Sequence, residues 1–196
     1  AKSFDDHGDK LSYPCYAQPK LDGIRCIAVV GADSKVTLWT REQKPIIAVP
    51  NIVRAVEEMN LPAGTVLDGE LYNHALKDDF EQIVSCVRKQ YEASPEEQAL
   101  IQYHVYDMPR HPRLPFGASF EDRARMLTLL NWSAAVYRVE TLMLRNREDL
   151  LAYRKSCQRI GYEGAMARGR HSPYEEGKRS VQLLKLKEFL EEEFAI

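Results

Sequence analysis

One lysine stands in a segment whose residue types could carry covalent chemistry at a phosphate. The segment reads Gln18-Pro19-Lys20-Leu21-Asp22-Gly23-Ile24-Arg25, in which the proline favours an extended chain and the glycine permits a tight turn. A lysine amine attacks an electrophile only when neutral, so burial or nearby cations must lower its pKa from about 10.4. The cations that could do so, and that would also neutralise a polyphosphate, are Arg25, Arg41, Lys185 and Lys187.

The spacing within this segment is more informative than the lysine itself. A lysine beside a turn is most often an ordinary surface residue. The full pattern Lys-x-Asp-Gly-x-Arg, from Lys20 to Arg25, arises by chance in roughly one chain in several hundred of this length. Lys20 is therefore a candidate nucleophile.

Two carboxylates elsewhere in the chain could complete such a site. Glu70 follows Asp68-Gly69, which could equally be a hairpin turn, and Glu163 before Gly164 could be a solvated strand end. Carboxylate oxygens accept hydrogen bonds from hydroxyl groups, and they are the hard ligands that Mg²⁺ prefers. Both residues are candidates for holding a sugar or a divalent cation.

Six segments in a fixed order resemble the motifs of covalent nucleotidyltransferases, and of ATP-dependent DNA ligases in particular. In chain order they are Lys20–Arg25, Thr40–Arg41, Leu67–Leu71, Tyr103–Asp107, Glu163–Arg168 and Leu184–Lys187. Each later segment is weak evidence alone, but together they span most of the chain. The segment Glu163–Arg168 ends in arginine where the family often has lysine, and the guanidinium and ammonium groups differ in geometry.

The resemblance implies a role for each matching residue. Lys20 would become adenylated by ATP, and Asp22 and Arg25 would act in the later steps. Tyr106 and Met166 would cover opposite faces of the adenine, although either residue alone is more often part of a core. The full set of implied nucleotide contacts is Gln18, Leu21, Arg25, Arg41, Glu70, Tyr106, Met166, Lys185 and Lys187.

The resemblance also implies a metal and a nucleic-acid partner. Glu163 and Glu70 would bind Mg²⁺, with Mn²⁺ as the alternative. The substrate would be nicked double-stranded DNA, contacted by Arg25, Arg168 and Arg170. Lys20–AMP would pass AMP to the 5′-phosphate of the nick, which the 3′-hydroxyl would then attack.

Three other readings remain open at this point. An mRNA-capping guanylyltransferase shares Lys-x-Asp-Gly-x-Arg but uses GTP, and an RNA ligase shares the chemistry. NAD-dependent ligases fit less well, because Arg25 and the scattered cysteines favour the ATP group. A non-catalytic nucleic-acid-binding module that kept the fold is the alternative outside the enzymes.

Composition indicates a globular protein of one domain. The 196 residues are 44% hydrophobic and 29% charged with a formal net charge of −2, and no apolar run is long enough to span a membrane. The cysteines form no CxxC pair, which favours a reducing compartment. We therefore expect a monomer in the cytoplasm of a bacterial or phage-infected cell, with the nucleus as the alternative.

Alternating and helical hydrophobic patterns predict the elements that position these residues. Strands are predicted at Tyr16–Lys20, Ile24–Val30, Val36–Thr40, Thr65–Tyr72, Ile101–Asp107, Val136–Leu142, Gly164–Arg168 and Val181–Lys187. Helices are predicted at Asn51–Met59, capped by Asn51, and at Phe80–Tyr91, Phe120–Leu130, capped by Ser119, and Arg147–Ile160. The segments Ala93–Gln98 and Met108–Gly117 are predicted to be loops.

The predicted fold class is α+β. It has two antiparallel β-sheets flanked by helices, and the resemblance implies an ATP-grasp-like arrangement with the nucleotide pocket between them. Residues 1–187 would form the adenylation domain, and 188–196 would begin a linker to an absent C-terminal OB-fold domain. In the family that domain carries one further, basic motif. Without it, we expect slow self-adenylation and weak DNA binding.

Overall fold

A computed structural model of the chain describes residues 1–187 as two five-stranded sheets with helices packed against them. In chain order the strands are β1 Lys2–Ser3, β2 Cys15–Lys20, β3 Ile24–Val30, β4 Val36–Trp39, β5 Val66–Tyr72, β6 Gln102–Arg110, β7 Val136–Arg138, β8 Leu142–Leu144, β9 Gly164–Gly169 and β10 Leu183–Lys187. The helices are α1 Phe4–His7, α2 Pro50–Glu58, α3 Phe80–Val87, α4 Pro95–Ala99, α5 Phe120–Leu127 and α6 Arg147–Arg159. The predicted linker at 188–196 lies outside the described residues.

The two sheets are mixed rather than purely antiparallel, and this corrects the prediction. Sheet A has the order β1-β10-β9-β2-β8, and sheet B has the order β4-β3-β5-β6-β7. The short strands β1 and β7 pair in parallel with β10 and β6, whereas the other pairs are antiparallel. The chain reaches β7 from β6 through helix α5, and such a crossover is what a parallel pairing requires. The α+β class with flanking helices is confirmed.

The segment predicted as one strand, Val136–Leu142, is two strands that belong to different sheets. β7 pairs with β6 in sheet B, and β8 pairs with β2 in sheet A. Between them the Val139 amide donates to the Val105 carbonyl, and the Thr141 hydroxyl donates to the Val139 carbonyl. The local apolar pattern cannot reveal that the chain changes sheets, because the partner of each strand is decided by neighbours distant in sequence.

Helix ends agree with the predictions in part. Ser119 caps α5 by accepting from the Asp122 amide at 3.2 Å, as predicted. Asn51 is not a cap: α2 begins at Pro50, and the Asn51 side chain instead donates to the Gln98 carbonyl. The predicted loop Ala93–Gln98 contains helix α4, which the capping box of Ser94 and Glu97 starts. The first part of the predicted loop Met108–Gly117 continues strand β6.

Each sheet buries one face in its own hydrophobic core. Along β9 and β10 the buried residues alternate, with Ala165, Ala167, Leu184 and Leu186 in the core of sheet A. Because side chains alternate between faces along a strand, the residues between them point to the opposite face. The prediction that Lys185 and Lys187 share a face, with the two leucines in the core, is confirmed. Within residues 1–187 no helix is long and apolar enough to cross a membrane.

Candidate active site

Strand register in sheet A places the predicted site residues in two rows. Gly164 of β9 lies opposite Lys20 of β2 on one side and Lys187 of β10 on the other. Two residues further along, Met166 lies between Gln18 and Lys185 in the same way. The rows bring together side chains that are more than 140 residues apart in sequence, all on the face away from the core of sheet A.

Glu163 binds both lysines of the first row. One carboxylate oxygen accepts from Lys20 Nζ, and the other lies 3.3 Å from Lys187 Nζ. Burial would raise the pKa of the Glu163 carboxyl, but the hydrogen bonds and charges of Lys20 and Lys187 outweigh it and lower that pKa. The arrangement holds two cations and one anion beside the glycine where strand β9 begins.

Arg25 is clamped on sheet B by a buried carboxylate. Its Nε and Nη2 donate to the two oxygens of Asp68 at 2.9 and 2.8 Å, and Nη2 also donates to the Tyr174 hydroxyl at 2.8 Å. The Tyr174 hydroxyl donates in turn to Asp68 at 2.6 Å. Burial would lower the pKa of Arg25, but Asp68 raises it further above its usual value. The guanidinium keeps 38% side-chain exposure, so it can still meet an anion.

Glu70 lies opposite Arg25 across strands β3 and β5. Removal from water raises its pKa to about 8, helped by Asp68 and Asp22 and opposed by Lys20 and Arg25. The Tyr106 hydroxyl lies 3.5 Å from a Glu70 oxygen. The surroundings of Glu70 thus favour its protonated form more than water does.

The predicted adenine residues lie where the two sheets meet. The Gln18 side chain donates to the Tyr106 carbonyl at 2.9 Å and so joins β2 of sheet A to β6 of sheet B. Met166 is next to Gln18 in the cross-strand row, and it is only partly buried. Tyr106 packs partly buried against the core of sheet B. These three residues are therefore neighbours where β2 and β9 of sheet A meet β6 of sheet B.

Some predicted site residues lie elsewhere. Leu21 is 8% exposed and packs in the core of sheet B, so its side chain supports the site from behind. Asp22 and Arg41 are exposed, in the turns after β2 and β4. Arg170 is partly exposed and forms a two-bond pair with Glu121.

The prediction that Arg168 contacts DNA does not fit its position. The side chain is 8% exposed; its Nε donates to Gln18 at 3.0 Å and its Nη1 donates to Asp107 at 2.7 Å. Asp107 is fully buried and also accepts two hydrogen bonds from Arg123. A buried charge needs a partner of opposite sign, and these partners hold Arg168 inside the protein.

Several functional side chains were missed by the sequence reasoning. Asp68 and Asp107 lie inside two of the six matching segments, so their place in those segments was a usable signal. Tyr174, Arg123 and Thr141 lie outside every motif, and nothing in their local sequence marks them. Their positions depend on contacts that cross between the sheets.

The carboxylates present fit a magnesium ion that also binds a nucleotide. Within residues 1–187 no group of three or more His, Cys, Asp or Glu side chains is placed to hold a metal. Mg²⁺ usually keeps several waters and uses one or two carboxylates together with substrate phosphates. Glu70 and Glu163 supply that donor set, on sheet B and at the start of β9.

Fold and site together define the class of covalent nucleotidyltransferases. The family model described as "ATP dependent DNA ligase domain" matches residues 1–187, so the chain belongs to this family. It is 27% identical over 192 residues to the DNA ligase of African swine fever virus, isolate Warthog/Namibia/Wart80/1980, which covers 91% of this chain and 43% of that protein. It is 28% identical over 181 residues to the DNA ligase of Halobacterium salinarum, covering 87% and 32%. The chain thus spans less than half the length of either relative.

Solved structures give the same fold. A structure from a study of DNA binding by Lig E DNA ligases has a TM-score of 0.73 at 25% identity, over 96% of this chain and 67% of that one. The adenylate form of Chlorella virus DNA ligase has a TM-score of 0.69 at 24% identity, over 95% and 65%. These likenesses confirm the predicted two-sheet ligase nucleotidyltransferase fold.

Proposed function

We propose that this chain is the adenylating part of an ATP-dependent DNA ligase, with Lys20 as the covalent nucleophile. The observation that supports this most is the first cross-strand row, where Lys20 and Lys187 flank Gly164 and share the carboxylate of Glu163. A nucleophilic amine, a second cation for phosphate and a carboxylate for a metal are the parts that attack at phosphorus needs.

The first step forms a bond between Lys20 Nζ and the α-phosphorus of ATP while the bond to the bridging oxygen breaks and pyrophosphate leaves. The Lys20 ammonium must lose a proton, and Glu163 is the carboxylate that accepts its hydrogen bond. Lys185 and Lys187 lie in the two rows beside the nucleotide and offset charge on its phosphates. Mg²⁺ held by Glu70 and Glu163 would add to this neutralisation.

The base and ribose are positioned by residues from both sheets. Met166 of sheet A and Tyr106 of sheet B cover the adenine faces, Gln18 meets its edge, and Glu70 receives the ribose hydroxyls. Arg41 approaches from the exposed turn after β4, toward the ribose or a phosphate. Because the proposed nucleotide contacts come from both sheets, the nucleotide would bind between them.

The later steps use the exposed edge of Arg25. AMP passes from Lys20 to the 5′-phosphate of a nick, and the 3′-hydroxyl then displaces AMP to form the phosphodiester. Asp68 and Tyr174 engage Nε and Nη2 of Arg25, so Nη1 is the edge that can meet the nick phosphate. Asp22 acts in the same steps and Arg170 contacts the DNA backbone. The protein works as a monomer together with a C-terminal OB-fold domain.

Intact-mass measurement after incubation with ATP and Mg²⁺ tests the nucleophile. We expect a fraction of the wild-type chain to gain the mass of one AMP, and Lys20→Ala to gain none. Lys155→Ala, which changes an exposed lysine on α6, is the matched control and should gain AMP like the wild type. An adduct of unchanged amount on Lys20→Ala would refute the assignment.

Two further arms of that experiment separate the rival functions. A GMP adduct from GTP in place of an AMP adduct would favour a capping guanylyltransferase. Tight binding of a nicked duplex with no adduct from either nucleotide would favour a non-catalytic binding module. Release of AMP from the adduct by nicked DNA, but not by nicked RNA, is the result expected of a DNA ligase.

A further inference from the structure

The side-chain amide of Gln18 can adopt only one orientation in its surroundings. Its Nε2 donates to the Tyr106 carbonyl and to the Thr141 hydroxyl, each at 2.9 Å, and its Oε1 accepts from Arg168 Nε at 3.0 Å. A peptide carbonyl can only accept a hydrogen bond, and arginine Nε can only donate one. If the amide were turned over, its N–H groups would face the N–H of Arg168, and its oxygen would face the Tyr106 carbonyl oxygen. Neither contact could form a hydrogen bond.

The partners that set this orientation are themselves fixed. Arg168 is held by its ion pair with Asp107 at 2.7 Å, and its guanidinium carbon lies 4.8 Å from the Phe120 ring centroid. The Thr141 hydroxyl donates to the Val139 carbonyl at 3.1 Å, so it has only a lone pair to offer Gln18. The amide is consequently bound on three sides by groups that cannot change their role.

These hydrogen bonds leave the Gln18 amide able to form one more hydrogen bond. Both N–H groups of Nε2 are used, whereas Oε1, with two lone pairs and one donor, can accept once more. The hydrogen bond that Gln18 can still form, with a base or with any other group, is therefore one in which it accepts. The exocyclic N6 amino group of adenine is a donor, and the O6 of guanine at the matching position is an acceptor.

We propose that Arg168 and Thr141 are specificity-determining residues, which select adenine over guanine by fixing the amide of Gln18. Neither need touch the base, so both act as positioning residues for Gln18. The inference rests on the proposed function, in that the base must lie between Tyr106 and Met166. It gives the buried Arg168 a role that contact with DNA cannot give it.

Dissociation constants for ATP and GTP, measured by calorimetric titration of the full chain, test the proposal. For the wild type we expect ATP to bind at least about tenfold more tightly, the range for a buried acceptor left facing an acceptor. Arg168→Met and Thr141→Val should each reduce the GTP-to-ATP ratio of dissociation constants by about fivefold or more. Arg168→Met removes the donor that opposes a turned amide, and Thr141→Val removes the acceptor of one N–H, so each variant makes it easier for an N–H to turn toward guanine O6.

A conservative variant and a surface control complete the design. Arg168→Lys should keep most of the wild-type ratio, because an ammonium can also only donate to Oε1. Arg110→Met, which removes an exposed ion pair with Glu176 at the end of β6, should leave the ratio unchanged. Thr141→Val carries the test if Arg168→Met does not fold, since it removes only one hydroxyl.

Two outcomes would overturn the inference while leaving the proposed function intact. The first is an unchanged ratio in Thr141→Val and, where it folds, in Arg168→Met. The second is an equal weakening of ATP and GTP binding, which is what a purely structural role would produce. Failure of the wild type to bind or become labelled by ATP would instead reject the proposed function, and the inference with it.

Discussion

Glu70 and Glu163 are both glutamates of the candidate site, yet their surroundings shift their pKa values in opposite directions. Glu163 is bound directly by two lysines, and its pKa is lowered. Glu70 has no lysine or arginine within hydrogen-bonding range among the described residues, and removal from water raises its pKa to about 8. A single titrating group in this position makes stability depend on pH in a predictable sense.

The Glu70→Gln variant should be less sensitive to pH than the wild type. The pKa of Glu70 is higher in the folded chain, about 8, than its ordinary value of 4.5. The protonated form therefore stabilises the fold fully below pH 4.5, and this stabilisation is lost as pH rises through 8. Relative to Glu70→Gln, the wild-type free energy of unfolding should fall by on the order of 4 kcal/mol from pH 5 to pH 8.5.

Urea denaturation at the two pH values measures this difference. Glu176→Gln, on an exposed glutamate, is the control and should follow the wild type at both pH values. Equal changes in the wild type and Glu70→Gln would show that Glu70 titrates as it does in the unfolded chain.

Strand β9 begins at Gly164, which has no side chain and lies in the row between Lys20 and Lys187. A Cβ built on Gly164 would lie 2.0 Å from the Leu186 carbonyl oxygen, and the residue has φ +155. Strand β10 can therefore approach closely enough for Lys187 to reach Glu163. Glycine is therefore required at position 164 for β9 to pair with β10, and not for a chemical role of its own.

Gly164→Ala should destabilise the chain by at least about 2 kcal/mol, because a backbone atom is in the way and must move. Gly177→Ala, at φ +69 with open space around it, isolates the conformational cost and should lose only about 1 kcal/mol. Chemical denaturation of both variants gives the comparison. Similar losses in the two would contradict a specific clash between β9 and β10.

Across the whole molecule, one buried ion cluster joins both sheets and a helix. Asp107 of β6 binds Arg168 of β9 and Arg123 of α5, and Asp107 is 0% exposed. Arg123 also donates to the Ala118 and Ser172 carbonyls. The cluster thus ties β9 of sheet A to β6 of sheet B and to α5.

Asp107→Ala should cost about 3 to 5 kcal/mol of folding free energy, because it leaves two buried guanidinium groups without their anion. Glu176→Ala, which breaks the exposed pair with Arg110, should cost no more than about 1 kcal/mol. Thermal and urea denaturation would measure both. A loss below about 1 kcal/mol for Asp107→Ala would mean that water reaches the cluster freely.

Local sequence was sufficient for most strands. The alternation in Leu184–Lys187 correctly assigned two leucines to the core and two lysines to the opposite face. Short elements were less predictable. The predicted loop Ala93–Gln98 contains helix α4, and the predicted strand Val136–Leu142 is divided between the two sheets. Those differences arise because short elements are stabilised by neighbours distant in sequence rather than by their own propensity.

The sequence by itself determined which residues could do chemistry and the order in which they occur. Residue type and period-two spacing are local properties, so Lys20, Glu70, Glu163 and the two lysines of β10 could be identified without a structure. Only the tertiary structure decided the pairing: Glu163 with Lys20, Arg25 with Asp68 and Tyr174, and Arg168 turned inward to an aspartate 61 residues earlier. The physical reason is that a cation exposed in the unfolded chain acquires its partner only when packing removes both from water.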